Sequence, residues 1–303
     1  MNSERTVLTV SIAVTVLISV FSIVFGILAG SSAIIFDGIY SLTDASMTVL
    51  ALIVANLIAT TATNRFAERF TMGFWHLEPM VLALNGMLLI GAAIYALVNA
   101  VASILAGGRE LAFFQGIIYA AVTLITAVAM ALFGTRANRT IRSDFLTLDI
   151  RAWWMSAGLT GALLIAFVFG LLIQGTSVEW LSPYVDPAAL ALICLILIPL
   201  PLGTVKQALT DILLVTPTDL KKQVDEIAAR ITQEYGFLSH RAYVAKVGRG
   251  RQVELYFIVP KAWPAKRLEE WDAIRNQIGK AIGGDTNHRW LTIAFTTDPD
   301  LAE

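Results

Sequence analysis

Charge is what this chain has least of. Only 15% of its 303 residues are Asp, Glu, Lys or Arg, where a soluble domain carries about 25%. Hydrophobic residues make up 56% and mean hydropathy is +0.70, so water alone could not keep such a chain folded and dispersed. A net charge of -1 supplies no basic excess to neutralise phosphates, which argues against a nucleic-acid partner. The single cysteine, Cys194, can form neither an internal disulfide nor a cysteine metal knuckle.

What charge there is lies unevenly. Residues 1–205 hold eight arginines and no lysine, while the other fourteen of the 22 basic residues, and thirteen of the 23 acidic ones, fall from Lys206 onward. This divides the chain into a greasy block, 1–208, and a polar domain, 209–303. Crossing a hydrocarbon core of ~30 Å takes about 20 mostly apolar residues. Six stretches qualify: 6–29, 32–59, 79–105, 112–133, 154–173 and 187–205. The first is too long for a signal peptide and lacks its small-residue cleavage site, so it reads as a span. Basic residues in short loops mark the cytoplasmic side. Arg65 and Arg69 follow the second span and Arg136, Arg139, Arg142 and Arg151 the fourth, whereas Arg109 stands alone opposite. An integral membrane protein results, with both termini cytoplasmic, as in a bacterial inner membrane.

The polar domain has a different period. Leu220, Val224, Ile227, Ala228 and Ile231 recur at helical spacing, behind Pro217-Thr218-Asp219 as a cap. Residues 241–247 and 252–259 alternate like half-buried strands around Gly248-Arg249-Gly250. A second helix over about 265–282, stopped by Gly283-Gly284, leads to a strand over 289–296. The order αββαβ predicts a small two-layer α+β domain, ferredoxin-like or metallochaperone-like.

Chemistry inside a membrane must come from the few polar groups there, and an intramembrane carboxylate usually faces a cavity or the bundle interior and carries function. Asp44 falls near the middle of the second span. Asp37, Tyr40 and Asp44 are spaced three, four and seven apart, which puts three oxygen-bearing side chains on one helix face. Asp149 and Ser156, seven apart, do the same on the fifth span. Two helices each presenting hard oxygen ligands at similar depth can close a small-cation site. A hydrogen-bonded structural carboxylate is the plain alternative for Asp44, and an interfacial cap is the alternative for Asp37 and Asp149.

The run Ser32-Ala33-Ile34-Ile35-Phe36-Asp37-Gly38-Ile39-Tyr40-Ser41-Leu42-Thr43-Asp44, with its FDGIYSLTD core, resembles the second-helix signature of the cation diffusion facilitator family. Gly73-Phe74-Trp75-His76-Leu77-Glu78-Pro79 is similar to that family's motif leading into the third helix. Six spans and an αββαβ tail agree. The resemblance implies a homodimeric secondary transporter, not an enzyme, that exports a divalent transition metal (Mn, Fe, Co or Zn) against protons by alternating access. Its transport site would fall on Tyr40 and Asp44 of the second helix and on Ala152 and Ser156 of the fifth. Tyrosine, alanine and serine depart from the family's usual histidines and aspartates, Ser156 most seriously, and Asp149 stands near to compensate. The expected metal ligands are therefore Asp44, Tyr40, Asp149 and Ser156, with Asp37 toward the outer mouth. Asp149 and Ser156 lie about 10 Å apart along a regular helix, so one ion meets both only if the helix is irregular or the ion moves. Oxygen ligands without histidine or thiolate favour harder ions, modestly.

In the tail, the resemblance implies a possible regulatory metal site at His240 and Asp298, at the dimer interface. His76 and His288 carry no assigned role. Asn56, Asn85 and Asn99 read as helix-packing amides, Trp75, Trp153, Trp154 and Trp180 as aromatic belts, Asp186-Pro187 as the cap of the last span, and Glu78 as a partner of Arg65 or Arg69. Three rival readings stay open. An intramembrane aspartyl protease lacks its motifs here. A transport-impaired homologue acting as a metal sensor or dimer partner fits the weakened fifth helix, and an organic-solute exporter requires a larger cavity.

Overall fold

The computed structural model describes residues 2–60, 74–141, 144–248, 250–284 and 289–302. Arg65, Phe66, Arg69, Phe70, Gly73, Arg142 and His288 lie outside the described residues, and so does any pairing of Glu78 with Arg65 or Arg69. Contacts gather the chain into two compact units, residues 1–50 with 84–203, and residues 51–83 with 204–303.

Among the described residues, six helical segments are long and apolar enough to cross a membrane. They run through α1 (Asn2–Ala29), α2 (Ser32–Thr60), α3 (Leu77–Leu105), α4 (Phe113–Ile141), α5 (Asp144–Leu172) and α6 (Val185–Leu197), the last flanked by a 3-10 turn at Glu179–Tyr184 and by α7 (Leu202–Ile212). Exposed Leu17, Ile27, Tyr95, Ile125 and Ile165 stud the outside of the bundle, as lipid-facing positions do.

Two glycine positions set how the first unit closes. Gly30 takes φ +72, and the Ser31 N–H reaches back to the Gly26 carbonyl at 3.0 Å, which ends α1 in a left-handed cap. Ser31 then opens α2, its Oγ accepting the Ile34 N–H at 3.1 Å. The second position is Gly38. A Cβ there would stand 2.8 Å from both the Ser19 carbonyl and Ser22 Cβ, so only glycine lets α2 lie this close to α1. Along α4 and α5, large side chains lean on glycines in the same way: Phe167 on Gly116 and Phe113 on Gly170.

Asp186 was expected to cap its own helix, and it caps another. Its carboxylate accepts the N–H groups of Ser32 (3.0 Å) and Ala33 (3.4 Å) and the hydroxyl of Ser31. A buried anion at the N-terminus of α2 answers orphan donors and the helix dipole together. The last span is not one helix over 187–205. It stops at Leu197 and resumes at Leu202, because Pro199 and Pro201 each lack the N–H that a continuous helix needs. The fourth and fifth helices outrun their apolar runs: α4 continues eight residues past Phe133, and α5 starts at Asp144. Nothing in Gly134-Thr135-Arg136-Ala137 or Asp149-Ile150-Arg151 breaks a helix, so the backbone stays helical where hydropathy falls.

In the second unit, α8 (Thr218–Tyr235), β1 (Ser239–Val247), β2 (Gly250–Ile258), α9 (Leu268–Ile282) and β3 (Arg289–Thr296) follow the expected order. The strands line up β1-β2-β3, with β1 antiparallel and β3 parallel to β2; α9 supplies the crossover that a parallel pair requires. Val224, Ile227 and Ile231 of α8 and Ile274 and Ile278 of α9 bury against Val253, Leu255 and Phe257 of β2. The expected side-chain cap on α8 does not form: Pro217 occupies the cap position without a side-chain hydrogen bond.

Candidate cation site

Asp37, Tyr40 and Asp44 of α2 and Asp149 and Ser156 of α5 line one cavity of about 170 Å³ in the first unit. Ala152, the other position named on the fifth helix, lines it too, and Ser11 and Thr15 bring α1 to it. Small-molecule pockets are typically about 300–1,000 Å³, so this space suits a partly hydrated ion better than an organic solute.

The three carboxylates differ in how closely a hydrogen-bond donor approaches them. Asp37 accepts from the Tyr119 hydroxyl at 2.7 Å. Tyr119, on α4, is fully buried, and its oxygen lies 2.7 Å from Ser22 Oγ on α1. Asp149 accepts from Ser11 Oγ at 2.8 Å, and Ser11 in turn accepts the indole N–H of Trp153 at 2.8 Å. Among the described residues Asp44 has only the amide of Asn85 on α3, at 3.3 Å, the long end of the hydrogen-bond range. An ionised carboxylate offers about four lone-pair positions, and the donor to Asp44 is the most distant of the three. Tyr40 stands one turn before it, its ring 5.5 Å from that of Phe36.

Among the described residues, no three His, Cys, Asp or Glu side chains converge as a metal cluster. Any cation in this cavity would therefore rely on hydroxyl, phenol or amide oxygens beside a carboxylate. Tyr119, Ser22, Ser11 and Asn85 went unassigned to the site in sequence; they sit on α1, α3 and α4, far from their partners along the chain. Trp153 is a correction. It is 7% exposed and holds Ser11, so it packs inside the bundle and is no belt residue, whereas Trp154 and Trp180 are exposed. Asn99 bonds the Tyr95 carbonyl of its own helix at 2.9 Å and bridges no helices among the described residues, whereas Asn85 does.

In the tail, His240 and Asp298 are not in contact. His240 is on edge strand β1, its Nδ1 3.0 Å from Thr232 Oγ1 of α8. Burial lowers its imidazole pKa from the usual value, with Asp225 acting the other way, which leaves the ring neutral and able to share that hydrogen bond. Asp298 follows β3, at the opposite edge, and its carboxylate accepts the Asp300 N–H at 3.2 Å. His76 lines a separate cavity in this unit with Asp211 and Trp290.

Residues 8–213 match the family described as the cation efflux transmembrane domain. The chain belongs to the cation efflux family. No curated protein matches it. Membership in that family, also called the cation diffusion facilitators, together with six membrane-capable helices among the described residues, makes this an integral membrane transporter of cations.

Proposed function

We propose that this cation efflux protein exports a divalent transition-metal ion of the Mn, Fe, Co and Zn class from the cytoplasm in exchange for protons, by alternating access and as a homodimer with both termini cytoplasmic. The ion sits between α2 and α5. Asp44 supplies the anionic ligand, Tyr40 and Ser156 supply neutral oxygens, and Asp149 and Asp37 receive the ion as it moves along the cavity. One observation carries the reading: five oxygen-bearing residues singled out by spacing on two helices line one small cavity in a protein of a cation-transporting family.

The same cavity gives the exchange a physical basis. A carboxylate that loses its cation in a low-dielectric site is costly as a bare anion and takes up a proton instead. With no imidazole or thiolate among the proposed ligands, the set prefers the harder ions. Uptake into everted vesicles, compared across Mn, Fe, Co, Zn and Mg, tests this. Wild type is expected to favour Mn or Fe, and Ser156→Asp to raise zinc transport severalfold by adding a second anionic ligand. Equal uptake of zinc in wild type and Ser156→Asp would remove α5 from the site.

The second reading is a transport-impaired member that senses metal or partners another subunit. It draws on Asp149, the one carboxylate that α5 brings to the cavity, already being held by Ser11. No uptake of any ion by wild type, with metal bound only at His240 and Asp298, would favour it.

A further inference from the structure

Asp44 stands between the cavity and a residue of a third helix. Asn85, on α3, lies outside the residues that line the cavity, yet its amide nitrogen is the group that meets Asp44 Oδ1, at 3.3 Å. The other end of that amide is unusual. Asn85 Oδ1 is buried and has no hydrogen-bond partner, while buried polar atoms are overwhelmingly paired. A contact from an amide N–H to a carboxylate is normally shorter than 3.3 Å, because the charge pulls it in.

The two ends of an asparagine amide have the same shape, so half a turn about its last bond exchanges oxygen for nitrogen. The exchange sets Asn85 Oδ1 where the nitrogen now stands, beside Asp44 Oδ1. Two oxygens held side by side on a small divalent ion, each about 2.1 Å from it, lie about 3.0 Å apart. The present spacing is within a few tenths of an ångström of that. An ion on Asp44 therefore gives the orphaned oxygen the partner it lacks.

We propose that Asn85 is a ligand of the transported ion, turning its oxygen to the cation when Asp44 binds it and its nitrogen to Asp44 when the ion has gone. The inference rests on the reading that Asp44 binds the ion. It adds α3 to the site beside α2 and α5, and it adds a neutral oxygen, which raises the ligand number without raising the charge to be neutralised on release. Neutral and anionic oxygens together suit a hard divalent ion better than a thiophilic one.

The test compares an oxygen donor with a hydrogen-bond donor at this position. Full-length protein in proteoliposomes is assayed with Mn(II) and, separately, Zn(II), for wild type, Asn85→Leu, Asn85→Asp and Asp44→Ala. Asn85→Leu is expected to raise KM for Mn(II) about 10-fold or more with a smaller change for Zn(II). Asn85→Asp, which keeps an oxygen, is expected to hold KM for Mn(II) at or below the wild-type value. Should the leucine variant fail to fold, Asn85→Ala takes its place. If Asn85 only donates a hydrogen bond to Asp44, the aspartate variant has no N–H to offer and two facing carboxylates, and its KM for Mn(II) rises above that of Asn85→Leu; that result overturns the proposal. So does an unchanged KM in Asn85→Leu. In either case Asp44→Ala separates the two claims: if it is inactive, the reading of Asp44 stands and only the role of Asn85 falls, and if it transports like wild type, the reading of Asp44 falls first.

Discussion

Tyr119 illustrates what a single buried hydroxyl does in this bundle. It is fully buried, stands 2.7 Å from both Asp37 and Ser22, and ties α4 to α2 and α1 at one atom. Removing it leaves a membrane-embedded carboxylate short of its donor, a loss of about 1–3 kcal/mol. Tyr119→Phe is expected to lower the midpoint of thermal unfolding in detergent by several degrees, while the same change at exposed Tyr95 leaves it in place. Equal midpoints would show that the contact contributes nothing. Residue by residue, the oxygen-bearing face of α2 and its counterpart on α5 were legible because helical periodicity is local. Their partners were not. Tyr119 is 82 residues from Asp37, and Ser11 is 138 from Asp149, and no spacing rule reaches that far. The indole of Trp153 looked interfacial for the same reason: its partner is on another helix.

At the scale of elements, hydropathy located six membrane segments but measured apolar length, not backbone continuity. It therefore carried the last span through Pro199 and Pro201 and cut α4 at Phe133. Side-chain volume, which hydropathy ignores, decides how α1 meets α2. Gly38→Ala would bring a methyl group to 2.8 Å from the Ser19 carbonyl, and overpacking of this kind costs about 1–3 kcal/mol. The expected result is a lower unfolding midpoint and weaker transport together, since Asp37 and Tyr40 flank the contact. Gly91→Ala is the control, because a Cβ there meets nothing within 4 Å; a loss at Gly91 equal to that at Gly38 would deny the close approach its role. The tail was the most legible part, its αββαβ order following from turns and alternation within a hundred residues. The side-chain cap expected from Pro217-Thr218-Asp219 did not form, because Pro217 holds the cap position.

For the whole molecule, the scarcity of charge is the organising fact. Eight arginines, no lysine and a few carboxylates are spread over the first 205 residues. Two of the carboxylates in the membrane-capable helices are engaged: Asp186 at the start of α2 and Asp37 at Tyr119. Asp149 is held by Ser11. Among the described residues Asp44 has a single long contact, to Asn85, and lines a cavity of ion size. The account stands or falls on whether that carboxylate couples metal to protons. Metal-driven proton flux in proteoliposomes carrying a pH-sensitive dye measures it directly. Wild type should release protons from the compartment the metal enters, and Asp44→Ala should abolish the signal while remaining folded. Undiminished flux in Asp44→Ala would contradict the account.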